Sequence, residues 1–279
     1  MKYLCAACST KTDFKKPIIL SSELKPSWIQ SINYVEQFID KQTKMNIKKM
    51  DIYDQTLCMN FGKENANQYI LYWASKPSKN ELSIVDAKSA YGNFSNHGIS
   101  KINSNGNVKL YFKCPQNYHT IRKNKNESEI FYRHIHFVLN KGDKWDKDKI
   151  YTQVLYCNVS NDIVKQHMKK GNTLLINTLP CEYYAKEHIP NSYNLHHSQV
   201  KKMSKLQLEQ WFQEVIQKNY PCILDFLKTY SIYEVPLVLY CAHEKCNASE
   251  LCALELYKKG FVNIRLYEGG MKDYRENSV

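Results

Sequence analysis

Four apolar residues, Leu237 to Tyr240, run without interruption behind Pro236, a pattern that predicts a short strand buried on both faces. A polar loop follows from Ala242 to Asn247. Leu251, Leu254 and Leu256 then recur at roughly helical spacing up to Gly260, a helix terminator, and Asn247 or Ser249 can cap that helix. The same alternation surrounds this stretch. Ile163–Lys170 reads as a helix capped by Asp162 and stopped by Gly171, and Leu174–Asn177 as a strand. Lys201–Phe226 reads as helical with a break at Tyr220-Pro221, and Phe261–Tyr267 as a strand before Gly269-Gly270 and a short helix. Strands alternating with helices predict a parallel sheet flanked by helices over residues 159–279.

The pattern upstream is different. Trp28, Ile29, Ile32, Val35, Phe38 and Ile39 fall on one helical face, which predicts an amphipathic helix within an N-terminal segment, 1–60. Residues 61–158 carry strand patterns instead: Gln68–Trp73, a hairpin over Gly98–Phe112 turning at Asn103–Gly106, Glu129–Leu139 and Ile150–Cys157. Repeated strands with Asn and Gly turns predict an all-β sandwich. The expected architecture is therefore two domains, a β-sandwich preceded by a helix and a C-terminal α/β domain.

Composition adds three constraints. The 279 residues are 43% hydrophobic, enough for two packed cores. The net charge of +12 is uneven: residues 1–158 hold 24 Lys and Arg against 14 Asp and Glu, whereas 159–279 hold 15 against 13. The basic first half could approach nucleic acid or a protein partner with an acidic surface, but no nucleic-acid motif accompanies the charge and the favoured reading is a solvated lysine-rich surface. Ten cysteines in a chain this long do not form the pattern of a disulfide scaffold. Tyr3–Cys8 is too short for a signal-peptide core, and no apolar run approaches membrane-spanning length. A reducing, cytoplasmic location is expected. The abundance of Lys, Asn, Ile and Tyr is a bias of AT-rich genomes such as those of some giant viruses or protists, and a virion is the alternative location if the source is viral.

Cys241 closes the apolar strand. A thiolate there faces loop N–H groups and the positive end of a helix dipole, both of which lower a thiol's pKa. The competing reading is a packed core cysteine. Cys246, five residues on, either resolves an oxidised or persulfidated Cys241 into a disulfide or is itself the nucleophile. Cys252 falls on the helix and reads as packed. Cys5-Ala-Ala-Cys8 has no second pair with which to bind zinc.

The segments around Cys241 resemble the rhodanese (sulfurtransferase) domain over about residues 160–279. They are the Leu175-Ile176-Asn177-Thr178 strand end with Glu182-Tyr183, then His188-Ile189-Pro190, then Tyr240-Cys241 with Asn247-Ala248-Ser249 and Glu268-Gly269-Gly270. The resemblance implies sulfur transfer without a cofactor. Cys241 takes a sulfane sulfur from a donor, becomes a persulfide, and passes the outer sulfur to a thiol acceptor. It also implies that the loop of Ala242, His243, Glu244, Lys245, Cys246, Asn247, Ala248 and Ser249 forms an anion nest for the persulfide. Two arginines common in the family are absent, at Ala248 and Leu179, and the loop is about two residues longer. Glu244 opposes Lys245. A phosphatase loop would need the missing arginine.

Residues 66–158 carry a second resemblance, to the intradiol ring-cleavage dioxygenases. It rests on Asp86-Ala87 with Gly92-Asn93-Phe94, Asn103–Gly106, Pro115–Tyr118 and Arg133-His134-Ile135-His136. In that family two tyrosines and two histidines hold ferric iron, which implies Tyr118, His134 and His136 as ligands here. His134 and His136, two apart on a strand, leave the same face. The fourth position falls on Phe94, which cannot ligate, and Tyr91 would substitute only if the backbone shifts. Three functional classes follow: a sulfurtransferase, a non-catalytic interaction or structural protein built from degenerate enzyme folds, and a metal-binding, dioxygenase-like N-terminal domain.

Overall fold

The computed structural model describes residues 17, 20, 22–37, 53–121 and 128–277. Cys5, Cys8, Phe38 and Ile39 lie outside the described residues. The chain divides into two units: Met1–Ser78 with Val85–Leu155, and Lys79–Ile84 with Tyr156–Val279.

In the first unit, helix α1 (Ser27–Ser31) is followed by strands β1 (Gln55–Asn60), β2 (Tyr69–Ala74) and β3 (Val85–Asp86), helix α2 (Ala87–Tyr91), and strands β4 (His97–Lys101), β5 (Asn107–Phe112), β6 (Tyr118–Ile121), β7 (Ser128–Phe131), β8 (His134–Lys141), β9 (Lys144–Trp145) and β10 (Tyr151–Val154). The central sheet runs β10-β8-β2-β4, with β9 on β8. Its inner strands β2 and β8 are buried on both faces over most of their length. Leu71, Trp73 and Val138 face one cluster with Ile29, Ile32, Tyr91 and Tyr118. Ile70, Tyr72, Ile135 and Phe137 face another with Met59, Leu110 and Phe112. Period-two alternation with apolar residues at both parities is what such a strand requires.

Four expectations need correction. The N-terminal helix is interrupted: α1 stops at Ser31, because Ile32 turns extended (φ −98°, ψ 105°), and helical backbone resumes over residues 35–37, with Ile29, Ile32 and Val35 all buried. The segment read as helical ends in a strand, β1, which pairs with β5 from Gln55–Phe112 to Asn60–Asn107. The 98–112 hairpin does not form a ladder. After the Asn103–Gly106 turn, closed by Gly106 N–H donating to Asn103 O at 2.9 Å, β4 pairs with β2 and β5 with β1. Finally, the single strand read over 129–139 is two strands in different sheets. The break is at Tyr132-Arg133, where the buried Arg133 guanidinium donates to Asn117 Oδ1 and the Arg133 carbonyl accepts from Leu155 N–H at 2.8 Å.

The second unit contains β11 (Cys157–Asn158), α3 (Asn161–Lys170), β12 (Leu174–Asn177), α4 (Cys181–Lys186), β13 (Tyr193–Asn194), α5 (His197–Lys202), α6 (Lys205–Asn219), α7 (Pro221–Phe226), β14 (Leu237–Tyr240), α8 (Ala248–Lys258), β15 (Ile264–Tyr267) and α9 (Gly270–Glu276). The strand order is β11-β15-β14-β12-β13, and every pairing is parallel. Helices cover both faces, as the alternating pattern predicts. Leu174, Ile176, Leu237, Leu239 and Leu266 pack with Leu208, Phe212, Ile216 and Leu256 on one side. Leu175, Val238, Tyr240 and Tyr267 pack with Val164 and Met271 on the other. Ser160, not Asp162, caps α3, accepting from Ile163 N–H, and Gly171 ends the helix in the left-handed region. Among the described residues no helix is long and apolar enough to cross a membrane.

The six residues Lys79–Ile84 join this unit from far upstream. Glu81 Oε1 lies 3.2 Å from Arg265 Nη1, and Ile84 N–H donates to Tyr230 Oη at 3.4 Å. Arg265 Nη2 also donates to His167 Nε2 at 2.7 Å, and burial and then Arg265 hold that imidazole below its ordinary pKa, neutral and able to accept. The Arg265 and Glu81 side chains are 8% and 18% exposed, too buried for water to replace a lost partner. Glu81→Gln is therefore expected to cost about 3 kcal/mol, because it strands a buried guanidinium. Chemical denaturation of the single variant and of Glu81→Gln with Arg265→Met checks this: the double variant should recover most of the loss.

Candidate functional site

Strand β14 is buried along its whole length, and Cys241 at its carboxyl end is fully buried. This end of the strand is gripped from three directions. Thr178 donates both its N–H and its hydroxyl to the Tyr240 carbonyl, at 2.9 and 3.0 Å. The Tyr240 hydroxyl accepts from Ile189 N–H at 2.9 Å and lies 2.7 Å from Ser192 Oγ, which ties the His188-Ile189-Pro190 segment to the strand. Met271 and Lys272 donate their N–H groups to the carbonyls of Cys241 and Ala242, at 3.0 and 2.9 Å. Carboxyl ends of parallel strands are where such sheets bind ligands.

The loop from Ala242 to Asn247 folds back over the thiol. Cys246 N–H donates to His243 O at 2.9 Å, and Lys245 N–H to His243 Nδ1 at 3.2 Å. The Cys241 thiol donates to the Cys246 carbonyl at 3.2 Å and has Ser249 Oγ 3.7 Å away. Cys246, half-buried, hydrogen-bonds the Cys241 thiol and receives the N–H groups of Ala248 and Ala242. These contacts set the two thiols apart. The Cys241 hydrogen bond, with the amides of Ala248 and Ala242, pulls Cys246 down to about 5, while the Cys246 thiolate and then burial push Cys241 up.

Residues 160–277 match the family model of the Rhodanese-like domain. This part of the chain is a rhodanese-like domain. Solved structures similar to it include a human single-domain sulfurtransferase, 18% identical, covering 43% of this chain and 96% of that one at a TM-score of 0.33. A single-domain sulfurtransferase of Saccharomyces cerevisiae is 15% identical over 44% of this chain and 90% of its own, at 0.33. A rhodanese-related protein of Thermoplasma volcanium is 18% identical over 43% and 92%, at 0.29. No curated protein matches the chain.

Within the rhodanese-like domain the structure places Ser249 Oγ 3.7 Å from the Cys241 sulfur with the Ser249 amide on the same atom, whereas the amides of Ala242 and Ala248 lie on the Cys246 sulfur. Asn247 precedes α8 without a side-chain cap, and Glu244 and Lys245 are exposed. Cys252 is buried on α8, its thiol donating to Leu195 O at 3.3 Å, in keeping with a packing role. Sequence reasoning passed over the role of Gly270. It lies at φ +59°, where an added Cβ would run into the Cys241 carbonyl oxygen and come within 2.9 Å of the Ala242 carbonyl carbon. The Glu268-Gly269-Gly270 motif was the available signal.

A second cluster lies in the first unit. Tyr118 Oη and Tyr91 Oη are 3.1 and 3.2 Å from His134 Nε2, which is 3.1 Å from His136 Nε2; the two phenol oxygens are 3.5 Å apart. The structure therefore joins the three expected residues and adds Tyr91. No backbone shift is needed: Tyr91 ends helix α2, Gly92 caps it at φ 55°, and Phe94, itself at φ 55°, packs its ring 5.3 Å from that of Tyr91. All four side chains are buried. His134 Nδ1 is 2.5 Å from the Tyr132 carbonyl, which can only accept, and burial pushes the ring's pKa down to about 4. Its Nε2 therefore presents a lone pair. Burial first, and His134 second, hold His136 well below the ordinary range, and its Nδ1 lies 2.8 Å from Thr152 Oγ1. Among the described residues no group of three or more His, Cys, Asp and Glu is arranged to hold a metal. This cluster draws half its donors from tyrosine.

Proposed function

We propose that the rhodanese-like domain is a sulfurtransferase that carries a sulfane sulfur as a persulfide on Cys241. The observation that carries the reading is Cys241 at the carboxyl end of β14, with the Cys246 carbonyl 3.2 Å and Ser249 Oγ 3.7 Å from its sulfur. Once deprotonated, the Cys241 thiolate attacks the outer sulfur of a donor R–S–SH. A sulfur–sulfur bond to Cys241 forms, the donor's own bond breaks, and RS⁻ leaves with the electron pair. A thiol acceptor then takes the outer sulfur. Intact-mass measurement after exposure to a persulfide donor tests this. The expected product in Cys246→Ser, where no second loop thiol can displace the loaded sulfur, is one sulfur heavier, with the adduct on the peptide holding Cys241. A protein that takes up no sulfur from any donor would instead be a binding or structural module.

The donor class follows from charge. The loop contains Lys245 beside Glu244 and no arginine, and Leu179 stands where a second arginine is common in the family. A thiosulfate sulfonate therefore lacks an arginine partner, a charged hydrogen bond worth about 1.5–3 kcal/mol. Thiosulfate is expected to give a kcat/KM about 10- to 100-fold below that of an uncharged alkyl persulfide, measured by steady-state transfer to a thiol acceptor.

A second reading concerns the first unit, taken as a dioxygenase-like sandwich. Three of its donors, Tyr91 Oη, Tyr118 Oη and His134 Nε2, lie 3.1–3.5 Å from one another, and His136 Nε2 lies 3.1 Å from His134 Nε2. That spacing matches the edges of a coordination shell with bonds of about 2.0–2.1 Å, and two phenolates with two neutral imidazoles suit ferric iron. Tyr91, Tyr118, His134 and His136 would hold the ion, which would supply Lewis acidity and redox chemistry there. Iron reconstitution tests the fit: a visible phenolate-to-iron band should form in the wild type and weaken or shift in Tyr91→Phe. A colourless, iron-free protein would leave the cluster as a buried hydrogen-bond network.

A further inference from the structure

Cys246 has no part in carrying the sulfur in the reading above, yet it holds the position next to the reacting atom. Its thiol hydrogen-bonds the Cys241 thiol. The turn closed by Cys246 N–H and His243 O (2.9 Å) brings the loop back so that the Cys246 carbonyl lies 3.2 Å from Cys241 Sγ. Both are free cysteines in this structure. Of the loop amides expected to cradle a persulfide, that of Ser249 lies on Cys241, whereas those of Ala242 and Ala248 lie on the Cys246 sulfur. An outer sulfur added to Cys241 would therefore enter a space that already contains a second sulfur.

We propose that Cys246 is the first acceptor in the reaction: its thiolate attacks the inner sulfur of the Cys241 persulfide, forming a Cys241–Cys246 disulfide and expelling hydrosulfide. This rests on the Cys241 persulfide reading. The step balances as Cys241–S–SH plus Cys246–S⁻ giving Cys241–S–S–Cys246 plus HS⁻. The outer sulfur leaves with the electron pair of the bond that breaks, and is reduced as the two cysteines are oxidised. A dithiol then reduces the disulfide, delivering two electrons and two protons, and restores the thiol pair. The domain would thus convert a sulfane sulfur to hydrosulfide at the expense of a dithiol.

Two features choose the inner sulfur. It is Cys241 Sγ, the atom Cys246 already contacts. Attack on the outer sulfur would expel the Cys241 thiolate, which burial and its neighbour disfavour; the weaker base, hydrosulfide, leaves more readily. As Cys246 moves onto Cys241, the amides of Ala242 and Ala248 are released to hold the departing anion.

The test is a single loading under anaerobic conditions with excess low-molecular-weight alkyl persulfide, followed by rapid desalting, a hydrosulfide assay and intact mass. The wild type is expected to release one equivalent of hydrosulfide and to become two hydrogens lighter than its reduced form, with a peptide linking Cys241 to Cys246. Added dithiol should make the release catalytic. Cys246→Ser and Cys246→Ala should instead stay one sulfur heavier and release hydrosulfide at least about a hundredfold more slowly, since an intramolecular nucleophile has been removed. A wild-type protein that keeps its persulfide as long as Cys246→Ser does, without the cross-linked peptide, overturns the proposal and leaves the sulfurtransferase reading intact. Absence of any adduct on both Cys246 variants overturns the two together.

Discussion

Cys241→Ser is expected to take up no sulfur and to lower transfer by more than about a thousandfold, the scale on which removal of a covalent nucleophile is felt. A hydroxyl at this position cannot form the sulfur–sulfur bond, and it stays protonated at neutral pH. The fold should survive. The site is fully buried, but the serine hydroxyl replaces a thiol that already donates to the Cys246 carbonyl. The change in stability should stay within about 1 kcal/mol. Intact mass and thermal unfolding, measured on the same preparation, separate the two effects. An adduct retained by Cys241→Ser and lost in Cys246→Ser would move the nucleophile along the loop.

Gly270→Ala should remove sulfur transfer without touching a sulfur atom. At φ +59° an alanine is strained, and its methyl group would be driven into the backbone of Cys241 and Ala242. Those atoms cannot yield as a side chain can, because Met271 and Lys272 donate to the same two carbonyls and Thr178 pins the preceding one. Relief requires the strand end and helix α9 to part. A displacement of about 1 Å at the nucleophile costs on the order of a hundredfold in rate, and the broken contacts cost about 2–4 kcal/mol of stability. Gly171→Ala is the control. Gly171 has nearly the same backbone, φ +60°, but nothing within 4 Å of the added carbon. It should lose only about 1–2 kcal/mol of left-handed strain and leave transfer unchanged. Denaturant melts and single-turnover loading on both variants make the comparison.

The rhodanese-like part was readable because its strands are continuous apolar runs bounded by Pro236, Gly171 and Gly260, and because strand–helix alternation fixes a parallel order. Cys241 was readable from its place at such a strand's end. Other features depend on contacts between residues far apart in the chain. The alternation over 98–112 fits a hairpin, but the buried residues of β5 (Val108, Leu110 and Phe112) pack with Met59 of β1, which sends the strand to a different partner. Arg133, buried and held by Asn117, splits an otherwise unbroken strand pattern. The motif spacing pointed at Phe94, whereas a five-residue helix ending at Gly92 delivers Tyr91 to the two histidines. Spacing could show that Cys246 shares the loop with Cys241. It could not show that the amides of Ala242 and Ala248 choose the Cys246 sulfur, which depends on the path of the turn.

The upstream segment Lys79–Ile84 bears on how the protein is made. Glu81 leaves the ribosome 184 residues before Arg265, the residue that it neutralises in the finished second unit. At elongation rates of about 5–20 residues per second, the segment waits roughly 10–40 s for its place. During that interval it must stay out of non-native pairings while β3 and the strands that follow it emerge. A chain cut to begin at Tyr156 would carry every strand of the parallel sheet but no carboxylate for Arg265, so supplying residues 79–84 as a separate peptide should improve its refolding yield.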